Sequence, residues 1–334
     1  MAVSTVALIA LVVGMGALPL LTTNPYYLQV VNIGYLTAIA VLGLNFATGI
    51  TGQIVLGQAA LMGTGAYTTG LLMLRYHLSW APALLLGVVS AAAVGMVLGL
   101  VSTRIKGHYL AITTLGFNEV FRLVVLNESK VTGGPFGLRD IPQLQIPAFG
   151  TSTAQQLYFP ILLVALGLHG LAVLIYRSRY GRDMRAIRDD ETAAEAMGVD
   201  SRATKIRAFT LASAMAGLAG GGYVLLVGFI SPNNFTIADS IRFLVYLVVG
   251  GLGSIAGPFI ASVLMVVLPE VLRGAKDYYI AIYGAAIIVV LLGFPRGLSA
   301  LADRLVAPWI QRPAVAPPVP LQMELPATDD GRTS

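Results

Sequence analysis

Few residues in this 334-residue chain have types and spacings that could do chemistry. There is no cysteine, which excludes disulfides and thiolate nucleophiles. His77, His108 and His169 are the only histidines, and none pairs with another at ligand spacing, so no metal site is expected. The chain carries no GxxxxGK[ST] phosphate loop; Gly250-Gly251-Leu252-Gly253-Ser254 is glycine-rich but lacks the lysine. The polar residues that stand out lie inside apolar sequence. Thr114, Asn118 and Arg122 recur every four residues and share a helix face, with Glu119 three residues before Arg122. An acid and a base within a bilayer are costly unless they are paired or face water. One reading places them along a translocation pathway, where they would meet the ammonium and carboxylate of a zwitterion. The other makes them a structural ion pair that locks helices or faces another subunit. Asn45, Gln53 and Gln58 flank the break Thr51-Gly52-Gln53, and amides in a bilayer must find partners. They either satisfy the broken backbone or line the cavity.

The elements that must hold these residues are membrane helices. The chain is 56% hydrophobic and only 11% charged, with mean hydropathy +0.79. A soluble domain carries about 25% charge, and one this apolar would expose large aggregating patches. The net charge of +5 sits in short loops, so it bears on membrane orientation rather than on nucleic acid. An integral membrane enzyme would need clustered His, Cys, Asp or Glu at membrane depth, and no such cluster is present.

A crossing needs about 20 apolar residues. Ten segments qualify: 3–21, 29–48, 55–75, 82–102, 109–126, 157–176, 208–229, 239–252, 257–272 and 279–294. The expected fold is therefore an all-α integral membrane protein of about ten transmembrane or partly re-entrant helices. The eighth and ninth segments are short and flank the glycine-rich break, so 239–272 is either two spans or one span with a re-entrant partner. The first segment lacks a basic n-region and reads as a retained helix. Loops 103–108 and 177–207 and the tail from 295 hold most of the 21 Lys and Arg residues, which puts them and both termini on the cytoplasmic side. Spans one to five precede the long outer loop 127–156 and spans six to ten follow it. Each half carries a break before one span, which suggests a 5+5 repeat. The permease domain runs over 1–312, and the Pro-rich, then acidic stretch 313–334 reads as a disordered cytoplasmic tail.

The long charged loop 177–207 has a helix expected near Asp189–Met197, with acidic residues in its first turn and Gly198 as its stop. Small and apolar side chains flanked by charge suit docking to a soluble partner. On the helices, Ser213, Gly217 and Gly221, and likewise Ala59 and Gly63, form small-residue faces for close packing, including contact with another permease. The stretches Thr132–Leu138 and Ser231–Phe235 read either as docking or gating segments on the outer side or as ordinary turns.

Five blocks carry a resemblance. Gly52–Ala60 (GQIVLGQAA), Gly107–Ile112 (GHYLAI), Thr132–Leu138 (TGGPFGL), Ala186–Glu191 (AIRDDE) and Gly250–Ser254 (GGLGS) occur in the order found in permeases of high-affinity branched-chain amino-acid ABC importers, over residues of about 30–300. The chain resembles the longer of the two paired permeases of that family. The resemblance implies a non-catalytic membrane subunit of a bacterial inner membrane. Its partners would be a second homologous permease, two cytoplasmic ABC ATPases and an external substrate-binding protein. ATP and magnesium would belong to the ATPases, with no cofactor on this chain. Arg185, Arg188, Asp189, Glu191, Ala194, Met197 and Gly198 would then form the ATPase-coupling segment. Asn45, Gln53, Gln58, Thr114, Asn118, Glu119 and Arg122 would be the residues of the pathway. Leucine, isoleucine and valine are the implied cargo, with urea, amides or other amino acids as the alternative. An ion-coupled secondary transporter is the rival class, and it leaves the charged loop without a purpose.

Overall fold

The computed structural model describes residues 24–105, 107–145 and 152–272, and the single positions 284, 285, 288, 297 and 298. The expected spans 3–21 and 279–294 and the tail 313–334 lie outside the described residues, apart from positions 284, 285 and 288. The described residues are helical, with one isolated antiparallel bridge between Leu138 and Ile230.

Helix α1 (Pro25–Leu44) starts where Asn24 caps it, its Oδ1 accepting from Tyr26 N at 3.0 Å, with Pro25 at the first helical position. It runs into a π-helical segment, Asn45–Ile50. The other long helices are α2 (Gln58–Tyr76), α3 (Trp80–Ser102) and α4 (His108–Asn127). A single turn, α5 (Ser129–Thr132), and a 3-10 turn (Gly134–Phe136) lead to α6 (Thr153–Arg177), which opens on a Ser152–Gln155 capping box. Two short helices follow, α7 (Arg179–Asp189) and α8 (Glu191–Ala196). Next come α9 (Ser201–Val227), α10 (Ile237–Gly250) and α11 (Ala256–Val271).

Among the described residues five helical stretches are long and apolar enough to cross a membrane: Pro25–Ile50, α3, α4, α6 and α9. α1 and α9 are the most buried of these and form the centre of the bundle. α9 packs on α3, α2 and α1, while α1 also packs on α11 and α6. A helix that is apolar all round belongs inside, and α1 is buried on every side from Gly34 to Leu44.

Two boundaries differ from the sequence expectation. α9 begins at Ser201, before the apolar run starts at 208, because Asp200 Oδ1 caps it at Ala203 N (2.9 Å) and its basic first turns find partners outside the apolar zone. The region 177–200 is mostly helical, and α8 is shorter than the expected Asp189–Met197. The segment 239–272 resolves into two helices, α10 and α11, joined by the tight turn Gly251–Ile255, where Gly251 and Gly253 take positive φ.

Helix contact rests on small residues. A Cβ added at Gly95 of α3 would collide with Ser213 Oγ of α9, one at Gly65 of α2 would meet the backbone of Gly217, and one at Gly217 would lie 2.5 Å from Ala91 Cβ. Ser213, Gly217 and Gly221 thus pack within the chain, against α3 and α2, instead of forming an outer face for a second permease. The matching stripe on α3, Gly87-Ala91-Gly95-Gly99, has the same four-residue spacing.

Candidate functional site

Between the π segment and α2 the chain leaves helical geometry. It turns at Gly52, whose φ is +80°, and re-enters a helix at Gln58. The first N–H groups of any helix have no intrahelical partner, and in a membrane interior each one left unpaired costs several kcal/mol. Side chains from two other helices supply the partners. Thr114 Oγ1 accepts from Leu56 N at 2.9 Å, Ser240 Oγ accepts from Ala59 N at 2.9 Å, and Asn118 Oδ1 accepts from Ala60 N at 2.9 Å. The Ser240 hydroxyl in turn donates to Asn118 Oδ1 (3.0 Å), and Asn118 Nδ2 donates to Phe235 O (3.3 Å). Gln58 Nε2 donates to Ala40 O (2.7 Å) and, more weakly, to Ala212 O (3.5 Å), which ties the start of α2 to α1 and α9.

Asn45 performs a similar task at the other break. Its Nδ2 donates to Ser254 O (2.6 Å) and its Oδ1 accepts from Gly253 N (3.0 Å), so the π segment clasps the turn between α10 and α11. Four of the seven residues assigned to the pathway, Asn45, Gln58, Thr114 and Asn118, therefore spend polar groups on the chain's own backbone. Gln53 is buried, yet its amide finds no hydrogen-bond partner among the described residues. Glu119 and Arg122 form an ion pair at 2.5–3.0 Å whose side chains are 33% and 25% exposed.

A second pair, absent from the sequence reading, lies close by. On α10, Arg242 Nη1 donates to Asp239 Oδ1 at 2.9 Å, and Asp239 Oδ2 completes a capping box with Thr236. Because Asn118 and Ser240 bond directly, their sequence neighbours Glu119 and Asp239 stand at one level of the bundle. The signal was available in sequence as an acid and a base three residues apart in an apolar run, the pattern of Glu119 and Arg122.

The charged end of the bundle carries α7 and α8. α7 buries Gly181, Met184 and Ile187 along one face. Arg185 turns inward: its Nη1 donates to Tyr176 O (2.9 Å) and its guanidinium lies 4.2 Å from the Tyr176 ring centroid. Arg188 Nη1 donates to Gly49 O. Asp190 Oδ1 caps α8 at Thr192 N and Ala193 N (2.8 and 3.0 Å). Glu191 Oε1 accepts from Lys205 Nζ (2.5 Å) and from Ser201 Oγ (2.6 Å), fastening α8 to the start of α9, and Lys205 is buried. Ala194 faces inward as well. The outward groups are Arg188, exposed apart from the Nη1 contact, Asp189, Gly198 and above all Met197, which is 85% exposed. Gly198 stops α8 with φ +85°. The residues assigned to the coupling segment thus divide into an inner set that anchors it and an outer set free to touch a partner.

At the opposite end, the two stretches read as docking segments or turns meet each other. Leu138 N donates to Ile230 O (2.9 Å) and Ile230 N to Leu138 O (3.1 Å), and Gly137 fits against Ile230 only because it lacks a side chain.

The sequence that builds the charged two-helix elbow and the buried helix breaks has relatives. Residues 26–291 match the family described as branched-chain amino acid transport system / permease component. The chain belongs to this family. It is 36% identical over 297 residues to the high-affinity branched-chain amino acid transport system permease protein LivM of Escherichia coli K12, an alignment covering 80% of this chain and 69% of that protein. It is 37% identical over 282 residues to LivM of Salmonella typhimurium LT2, covering 77% and 66%. A more remote relative is the autoinducer 2 import system permease protein LsrC of Salmonella paratyphi B, 28% identical over 251 residues, covering 72% and 69%. No solved structure matches the chain significantly. As a family member it is a multi-pass membrane permease subunit.

Proposed function

We propose that this permease carries leucine, isoleucine and valine inward as one of two paired membrane subunits of an ATP-driven importer. The observation that carries the reading is the exposed tip of the α7–α8 elbow on a family member whose LivM relatives are named for branched-chain amino acid transport. Met197 is 85% exposed at the tip of an anchored helix, where its flexible, polarizable side chain suits a partner's cleft. The partners in this reading are two cytoplasmic ATPases, which bring ATP and magnesium, a second homologous permease and an external binding protein that delivers cargo. The chain crosses a bacterial inner membrane ten times, with both termini and the elbow in the cytoplasm. Alternating access is the mechanism: closure of the ATPases moves the elbow, and the bundle opens to one side at a time.

The pathway in this reading follows the partly exposed pair Glu119–Arg122, with Asp239–Arg242 at the same level, and includes Gln53, whose side-chain amide has no partner among the described residues. A zwitterion passing such groups exchanges its carboxylate and ammonium between charges of both signs without a tight site. The LsrC relative is named for autoinducer 2 import; urea, amides and other amino acids are the comparison substrates. Met197→Glu tests the docking surface. The variant permease is expected to melt like the parent but to lose the ATPase subunits on co-purification. Full retention of the ATPases would move the docking surface elsewhere.

A further inference from the structure

Arg188 sits on the elbow, yet its guanidinium points into the bundle. Its Nη1 donates to Gly49 O at the end of the π segment. A helix end presents carbonyls that lack intrahelical partners and favours a cation. Two glycines, Gly52 and Gly253, make room for the side chain, and a third, Gly49, lets the two breaks approach each other. A Cβ at Gly52 would lie 3.2 Å from Arg188 Cγ, and one at Gly253 would lie 2.6 Å from Nη1, while one at Gly49 would come within 2.7 Å of Gly253 N. Asn45 bonds both Gly253 and Ser254 at the same place. One side chain of the elbow therefore touches both helix breaks, and those breaks are clasped to each other.

The geometry points to Arg188 as a positioning residue that transmits elbow motion to the two breaks. The latch is the Nη1 contact within the chain, made by a side chain whose remainder is exposed on the elbow. Pulling α7 moves Gly49 and Gly253 together. α2 departs from one break, and α10 and α11 meet at the other, so both charged pairs, on α4 and α10, lie on helices that the latch reaches directly or through Asn118 and Ser240. The inference rests on the importer reading above.

Two measurements on the reconstituted whole assembly test it. Arg188→Ala is expected to keep assembly and ATP hydrolysis while solute moved per ATP falls about tenfold, the factor lost with one charge-assisted hydrogen bond. Arg188→Lys, a single donor of the same charge, should recover part of it. An unchanged ratio in Arg188→Ala overturns the latch. The native sequence has no cysteine, so spin labels at Glu195→Cys and Leu252→Cys report the elbow–break distance with Arg188 in place, whatever the alanine variant does to folding. That distance should be the same without nucleotide and with ATP bound; a shift on ATP binding overturns the latch. If uptake by the parent assembly ignores ATP, the importer reading falls and the latch with it. If uptake stays ATP-driven and the Arg188→Ala ratio matches the parent, the latch alone falls.

Discussion

Asn118 shows why a buried polar residue in this bundle must be read through its partners. Its carbonyl oxygen receives Ala60 N and Ser240 Oγ, and its amide reaches Phe235 O. Replacing it with leucine strands a helix N-terminus, and Asn118→Leu should cost about 2 kcal/mol or more. Thermal unfolding in detergent will show this, and Asn118→Asp, which keeps an acceptor for Ala60 N, should lose less. An unchanged melting curve for Asn118→Leu would contradict the capping role. The pair Glu119–Arg122 is decided by a swap. The double variant Glu119→Arg, Arg122→Glu rebuilds the ion pair in reverse order. If the pair is only a fastener, stability and uptake both return. A pathway role predicts that stability returns and uptake does not. The sequence made these residues visible because acids, bases and amides are rare in apolar runs. It did not show which were spent on backbone, since the partners of Asn118 and Asn45 lie 58 to 209 residues away in the chain.

At the scale of the elements, much of the helix plan was legible from apolar length, while the caps Asn24, Ser152 and Asp200, which start α1, α6 and α9 ahead of their apolar runs, went unread. Boundaries failed where charge and helix coexist. α9 runs back to Ser201 because Lys205 meets Glu191 and Arg207 lies over the Tyr180 ring, tertiary contacts that no local window contains. α7 was missed for the same reason: its register depends on burying Met184 and Ile187 against the bundle. The small-residue faces were legible on α9 and overlooked on α3, although the spacing is identical. Their partnership makes a reciprocal prediction. Gly95→Ala should lower the melting temperature sharply, since even one methyl meets Ser213, and Ser213→Gly in the same chain should restore much of the loss. If Gly95→Ala alone is harmless, the close α3–α9 approach is wrong.

In the whole molecule, a charged elbow, two clasped breaks and a partly exposed line of ion pairs share one permease chain, and the proposed function joins them in ATP-driven inward movement of branched-chain amino acids. The most direct measurement is uptake of radiolabelled leucine into proteoliposomes holding the paired permeases and ATPases, with binding protein outside and ATP supplied on the ATPase side. The account predicts accumulation that requires ATP and is suppressed by unlabelled isoleucine and valine. ATP-driven uptake of urea or another amino acid without leucine would contradict the cargo, and leucine uptake that follows an ion gradient and ignores ATP would contradict the mechanism itself.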